Sequence, residues 1–240
     1  WISIVIFRDS TVLLSRHRTA IPDTGPTSLP AVLVMQLSEF DFPFDPSLIA
    51  AYPCLPRDQA RLLVLRPRES SFAHRHIGEL GELLQPGDLL VVNDTKVLAA
   101  RVAGRKRPSG TEVEILFVKN LGDEIWEVLI KGRLHPGQII DMGAKAVAVV
   151  VERGASRTTV RVESPTPLSE WMRLHGQMPL PPYLKRAPTD QDREWYQTLF
   201  AQHEGAIAAP TAGLHFTPSL LAQLQQRGVR LTTVTLHVGT

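Results

Sequence analysis

The chain has little cysteine and no long hydrophobic run, and both shortages narrow the classes of protein to which it can belong. Cys54 is the one cysteine among 240 residues, which excludes an intramolecular disulfide and a cysteine-clustered zinc site and suits a reducing cytoplasm. No run of about 18 uncharged apolar residues occurs, so no membrane span is predicted. The motifs GxxxxGK[ST], strand-to-helix GxGxxG and GxSxG are also missing, so the common nucleotide-binding and hydrolase signatures give no assignment.

Residues 1–34 do not follow the pattern of the rest of the chain. The sequence begins with Trp1 and carries three prolines between positions 21 and 30. Arg16 and Arg18 follow the apolar stretch rather than precede it, so a signal peptide is not predicted. Met35 is followed by sequence of globular type, and we expect residues 1–34 to be a non-native extension.

What is present from residue 35 onward indicates an α/β protein interrupted by an all-β module. Between residues 97 and 166 six short β-rich runs are separated by Gly, Asn, Asp or Pro turns, which predicts a small inserted antiparallel β-barrel domain. Helical spacing and caps return on both sides, so residues 35–96 and 167–240 are predicted to form one discontinuous α/β domain. The six runs are 99–104, 112–119, 125–131, 138–141, 146–152 and 158–163.

The most informative stretch is a strand–loop–helix–strand unit near the C-terminal end. Residues 206–209 and 229–238 read as strands, and a helix capped by Thr217 lies between them. His215 and His237 then follow the carboxyl ends of two parallel strands, where ligand sites of α/β sheets are found. If the strands are neighbours, both histidines face one crevice; the alternative is that each only hydrogen-bonds the loop backbone.

Four further segments carry candidate binding residues, and each has a structural alternative. Residues 93–96 (NDTK) either bind a ligand or form an Asx turn. Residues 57–61 (RDQAR) either grip a phosphate or form an ion-paired turn. Residues 176–186 form a structural strap or the wall of a cleft, and the basic turn 101–107 meets phosphates or is a solvated face.

Several blocks of sequence resemble one family, the S-adenosylmethionine:tRNA ribosyltransferase-isomerases of queuosine synthesis. The blocks occur in the family's order along nearly all of residues 36–240, which makes the resemblance specific. They are LSEFDF (37–42), RDQARL (57–62), HRH (74–76), PGDLLVVNDT (86–95), ARVxGRK (100–106), HGQMPLPPY (175–183), YQT (196–198), AAPTAGLHFT (208–217) and TLHVG (235–239).

The resemblance implies a fold and an activity. The fold is a distorted, incomplete β/α barrel-like domain with an inserted small antiparallel β-barrel. The activity is transfer and isomerisation of the ribosyl part of S-adenosylmethionine onto 7-aminomethyl-7-deazaguanine in tRNA, giving epoxyqueuosine, adenine and methionine. The enzyme is expected to be a cytoplasmic monomer with S-adenosylmethionine and tRNA as substrates and with no cofactor, metal or membrane contact. The resemblance also implies further chain beyond residue 240, without which we expect the fragment to be unstable or inactive.

The same resemblance implies roles for individual residues. The sulfonium acidifies the ribose C5′ protons, so a general base is needed, with His215 and His237 as first candidates and Asp94 as the next. Expected substrate-binding residues are Asn93, Thr95, Arg57, Arg61, Pro210, Thr211, Gly213, Phe216 and Gly239. Expected tRNA-binding residues are Lys96, Arg101, Arg105, Lys106, Arg107, Lys185 and Arg186.

Two other functions fit parts of the sequence. A non-catalytic β-barrel module that holds tRNA would retain tRNA without binding S-adenosylmethionine. Another nucleotide-dependent transferase would use the same crevice and release S-adenosylhomocysteine, or no adenine.

Overall fold

A computed structural model describes residues 36–66, 69–155 and 157–239 of the protein. The predicted extension 1–34 and the last residue lie outside the described residues. No helix in the described part of the chain is long and apolar enough to cross a membrane.

The residues before the barrel form a hairpin, a short helix and an extended segment. Strands β1 (Arg61–Arg66) and β2 (Ser71–His76) are antiparallel, and α1 (Leu80–Leu83) follows a 3-10 turn. The alternation of β1 buries Leu62 and Val64 in a core cluster with the apolar side of the later helix. The extended segment then consists of β3 (Leu89–Asn93) and β4 (Thr95–Val97).

The predicted inserted barrel is confirmed. Its strands close in the order β10-β7-β6-β5-β8-β9, all antiparallel, so no strand of the barrel is left with a free edge. Alternating Val, Ile and Phe residues point inward, among them Ile115, Phe117 and Val128, each at most 1% exposed. The strands are β5 (Arg101–Lys106), β6 (Glu112–Gly122), β7 (Ile125–Ile130), β8 (Ile139–Gly143), β9 (Ala146–Arg153) and β10 (Thr158–Glu163).

After the barrel come α2 (Leu168–His175), α3 (Asp192–Trp195), β11 (His203–Ala206), α4 (Pro218–Gln226) and β12 (Arg230–Val234). The Thr217 hydroxyl accepts from the Leu220 amide and caps α4, as its position before Pro218 predicted. Thr189, with Asp192 three residues later, predicts a helix running to about residue 201, but α3 has only four residues.

β11 and β12 do not pair with each other, which was the condition for His215 and His237 to face one crevice, and β11 lies at His203–Ala206, mostly before the run 206–209 predicted as a strand. β11 pairs in parallel with β4, and β12 pairs in parallel with β3, so the two strands share the extended segment 89–97 instead of pairing with each other. The Ile207 amide does reach the Val238 carbonyl, which brings the ends of the two segments together. Among the described residues these strands and the hairpin form two-stranded sheets, and they do not close into a β/α barrel.

A close backbone crossing joins the barrel to the α/β part. Arg101 and Gln177 exchange two backbone hydrogen bonds, next to Gly176 at the end of α2. A side chain at Gly176 would stand 1.9 Å from the carbonyl oxygen of Ala99. Only glycine therefore allows the two backbones this approach.

Candidate functional site

A cavity of about 580 Å³ lies between the segment 48–61, residues 181–184 of the strap 176–186, and the loop Thr211–His215. Its volume is within the range of small-molecule sites. Four residues singled out from the sequence line it, although they are up to 158 positions apart in the chain. They are Arg57, Arg61, Thr211 and His215.

His215 is the group of the cavity best suited to proton abstraction. Its Nε2 atom is buried and has no hydrogen-bond partner among the described residues. Burial lowers the pKa of His215, and the positive charge of Arg57 lowers it further. The imidazole is therefore neutral at physiological pH, and in the tautomer protonated at Nδ1 its unpartnered Nε2 has the lone pair that a general base needs.

Arg57 holds the loop that carries His215. Its guanidinium donates to the backbone carbonyls of Gln197 at 3.0 Å, Leu214 at 3.1 Å and Glu194 at 2.9 Å. Burial lowers the pKa of Arg57, partly offset by Glu194. The side chain thus ties three segments together beside the cavity and places a fixed positive charge next to His215.

The strap 176–186 both connects parts of the structure and forms part of the cavity wall. Its first half is fastened to the barrel and buries Met178 and Leu180. Its second half contributes Pro181, Tyr183 and Leu184 to the wall of the cavity. The prolines keep this segment extended without requiring backbone donors.

Arg186 at the end of the strap is directed inward. Its guanidinium forms two bonds with the carboxylate of Asp192, at 2.6 and 2.7 Å, and lies 4.6 Å from the centre of the Tyr52 ring. The two side chains are 13% and 2% exposed. The charge of Arg186 is neutralised inside the protein, so the structure gives it an architectural position in place of the phosphate contact expected from the sequence.

Asn93, Asp94 and Thr95 fasten the segment that follows β12. The Asn93 side chain bonds both the amide and the carbonyl of Leu236, and its Oδ1 also accepts from the Thr95 amide. Asp94 is buried, and a hydrogen bond from the Thr235 hydroxyl lowers its pKa, against the effect of burial. The Asx turn is therefore present, and the polar run 93–95 has partners within the protein.

His237 lies in a different setting from His215. Its Nδ1 is 2.8 Å from the Thr95 hydroxyl, and its ring packs where a side chain at Gly205 would stand, 2.7 Å away. Gly205 has a φ of +152°, a conformation that favours glycine. His237 does not line the 580 Å³ cavity, whereas His215 does, so the described structure does not place the two histidines in one cavity.

The remaining candidates in the loop are mostly packing residues. Phe216 is buried against Phe200, and Gly213 packs against Thr198. Pro210 precedes the 3-10 turn Thr211–His215, and Gly239 is exposed. None of these four residues lines the cavity; substrate contact through them stays a prediction.

Comparison with known proteins decides the family. The family model described as "Queuosine biosynthesis protein" matches residues 37–240. The chain belongs to the queuosine biosynthesis protein family.

The similar curated proteins are named S-adenosylmethionine:tRNA ribosyltransferase-isomerase. The one from Xanthomonas euvesicatoria pv. vesicatoria is 46% identical over 207 residues, covering 85% of this chain and 58% of the relative. The one from Sulfurihydrogenibium sp. is 39% identical over 207 residues, covering 85% of this chain and 61% of the relative. The chain thus spans about three-fifths of the length of these relatives.

A solved S-adenosylmethionine tRNA ribosyltransferase from Thermotoga maritima is 30% identical and covers 84% of this chain and 58% of that chain. Its TM-score of 0.35 is too low for an argument from shape.

Four of the basic residues expected to bind tRNA, namely Lys96, Arg101, Arg105 and Arg107, are paired with carboxylates. Arg105 lies 2.8 Å from Glu112, Arg107 contacts Asp141, and Lys96 lies 3.0 Å from Glu204. Lys106 donates to the Arg133 carbonyl, and Arg101 bonds Glu114 and the Leu180 carbonyl. Lys185 is exposed, with a φ of +52°. Exposed pairs of this kind are weak, so the cations remain able to exchange partners with a phosphate.

Sequence reasoning missed three residues of the cavity wall. Tyr52, Trp195 and Asp192 line it. The sequence did carry a sign of the role of Asp192, because Thr189 three residues before it has the spacing of a helix cap. In the structure the Thr189 amide donates to the Asp192 carboxylate. Nothing in the sequence showed that the same carboxylate binds Arg186.

Proposed function

We propose that this chain is the part of an S-adenosylmethionine:tRNA ribosyltransferase-isomerase that holds the reacting ribose. The observation that carries the proposal is the cavity, in which a half-buried histidine with an unpartnered Nε2 stands beside Arg57. The loop that bears His215 falls within the part of the chain matched by the queuosine family model. The names of the relatives supply the reaction class.

The geometry suits the first step of that reaction. The sulfonium of S-adenosylmethionine makes the C5′ protons of the ribose acidic, and a neutral imidazole in a partly water-excluded cavity can accept one of them. The exposed aromatic ring of Tyr183 and the partly buried ring of Trp195 give the cavity apolar walls of the kind that adenine and ribose pack against. The reaction then joins the ribosyl carbon to the aminomethyl group of the deazaguanine and releases adenine and methionine.

The remaining features of the proposal follow from this chemistry. S-adenosylmethionine is a substrate, and the reaction as proposed needs no cofactor. The tRNA meets Lys96, Lys185 and the basic turn of the barrel through its phosphates. We also propose a monomeric cytoplasmic enzyme whose complete α/β domain is a distorted β/α barrel.

Mass spectrometry of the tRNA tests the proposed function. The intact protein is incubated with S-adenosylmethionine and tRNA that carries 7-aminomethyl-7-deazaguanine, and epoxyqueuosine in the tRNA together with free adenine is the expected result. S-adenosylhomocysteine is the matched control, because it lacks the sulfonium charge and should give no product. Formation of S-adenosylhomocysteine from S-adenosylmethionine, or tRNA retention without turnover, would contradict the proposal.

The basic segment 101–107, predicted as a turn, is strand β5 followed by the first residue of a turn, and its end supports a separate prediction about tRNA binding. Changing Arg105, Lys106 and Arg107 together to alanine should lower the slope of log affinity against log salt by up to about 3, because each lost phosphate contact removes about one released counterion. Glu112→Gln is the opposing control: it frees Arg105 from its ion pair and should strengthen tRNA binding. An unchanged salt slope in the triple variant would show that the turn only faces solvent.

A further inference from the structure

Among the described residues, the core leaves one face of the hairpin β1–β2 uncovered. Leu62 and Val64 on its inner face are 1% and 6% exposed. The residues on the outer face are paired across the two strands, and most of them are polar or aromatic. The outer pairs are Arg61 with His76, Leu63 with His74, and Leu65 with Phe72.

An aromatic platform stands on this outer face. Phe72 is 64% exposed, and its ring meets the ring of His74 edge to face, with centroids 5.6 Å apart and an angle of 86°. Exposed aromatic rings on strands are the surfaces on which proteins stack unpaired bases. A single exposed phenylalanine would carry little weight, but here a second ring fixes its orientation.

The charge around the platform suits an anionic strand. Arg61 and His76 occupy the first pair of the face. The Glu79 carboxylate lies 3.6 Å from the His76 ring and 3.1 Å from Arg75, whose pairing with Leu62 places it on the other face. None of the six residues of the outer face is acidic, whereas the arginines of the barrel turn lie beside Glu112 and Asp141.

The outer face is continuous with the cavity. Arg61 begins β1 and also lines the cavity, together with Gln59 and Ala60. With a rise of about 3.3 Å per residue, the pair containing His74 lies about 7 Å along the hairpin from Arg61, and the pair containing Phe72 lies about 13 Å along it. A strand with one nucleotide in the cavity would therefore pass over these rings.

From this arrangement we propose that the outer face of the hairpin β1–β2 is a stacking surface for the unpaired nucleotides that flank the modified base of the tRNA. The inference rests on the proposed function, because it takes tRNA as the substrate. It divides the recognition of RNA between two surfaces: the barrel turn contacts phosphates, and the hairpin contacts base faces. The hairpin thereby selects a single-stranded loop over a duplex, whose bases are already stacked.

Replacing Phe72 with alanine in the intact protein tests the inference. Binding of an RNA stem-loop with the sequence of the anticodon arm should weaken by about tenfold to a hundredfold, the loss typical of one stacked base. The slope of log affinity against log salt should not change, because no charge is removed. Phe72→Trp should restore binding, and a duplex RNA of equal length should bind the Phe72→Ala and unchanged proteins equally.

Leu174→Ala is the matched control, since Leu174 is 63% exposed but lies on α2, away from the hairpin. It should bind the stem-loop like the unchanged protein. Equal stem-loop binding by Phe72→Ala and the unchanged protein would overturn the stacking surface and leave the proposed function standing. Loss of self-association in Phe72→Ala with RNA binding intact would mark the face as an interface between copies and overturn it too. Failure of the unchanged protein to bind either RNA would overturn the proposed function and the inference together.

Discussion

Replacing His215 with glutamine should lower the turnover of the intact enzyme by about 10²–10⁴-fold while substrate binding is largely kept. Glutamine keeps similar size and some hydrogen bonding, but it has no basic nitrogen in the accessible pH range. Because burial and Arg57 lower the pKa of His215, the neutral base persists below the ordinary histidine pKa of about 6.5. The acid limb of kcat/KM against pH should therefore lie below about 6.5, and the variant should lose it.

His237→Gln is the matched variant for this test. Its ring contacts the Thr95 hydroxyl outside the cavity, so we expect a smaller loss of turnover than for His215→Gln. Single-turnover kinetics with the bound substrates separate the chemical step from binding. If His237→Gln lost turnover and its acid limb while His215→Gln kept both, the role of base would pass to His237. If both variants turned over normally, Asp94 would be the next candidate.

Replacing Asp192 with asparagine should destabilise the protein by about 3 kcal/mol, because it leaves the largely buried guanidinium of Arg186 without its carboxylate. For a chain of this size that corresponds to a fall in Tm of about 6–12 °C. Arg186 lowers the pKa of Asp192, so the contribution is present above the ordinary aspartate pKa of about 3.9 and is lost as the pH falls below it. Thermal unfolding followed by circular dichroism at neutral pH and at low pH measures both effects.

Glu112→Gln supplies the control for this stability test. It makes the same chemical change in an ion pair whose side chains are 69% and 77% exposed. Water screens that pair, so the cost should stay below about 1 kcal/mol. Equal Tm values for the Asp192 and Glu112 variants would show that the pair beneath Tyr52 does not hold the wall of the cavity.

The inserted barrel is the part of the fold that local sequence predicted best. Its strands alternate apolar and polar residues and are joined by short turns, so each strand pairs mainly with a neighbour close in sequence. The ends of the predicted runs differ from the observed strands by a few residues, as at β6, which extends to Gly122. Short-range patterns carry this information because a two-residue period and a turn are both local properties.

The arrangement of β11 and β12 shows the opposite case. The sequence predicted strands at 206–209 and 229–238, but the observed β11 is His203–Ala206, and the partners of β11 and β12 are strands more than 100 residues away. Nothing local distinguishes pairing with each other from pairing with the segment 89–97. The expectation that His215 and His237 face one crevice rested on that choice, and the cavity contains only His215.

The sequence alone predicted the family resemblance, the inserted barrel, the cap of α4 and the place of the loop 210–216 before that helix. Each of these depends on residues that are near one another in the chain. Only the tertiary structure decided that Arg57 lies beside His215 and that Arg186 forms an ion pair with Asp192. It also decided that the outer face of the hairpin leads into the cavity. In each case the sequence gives the type of a charged or aromatic side chain, but it does not show which of several distant residues that side chain contacts. The packing of distant segments selects the partner, and with it the burial and charge that set the chemistry of the group.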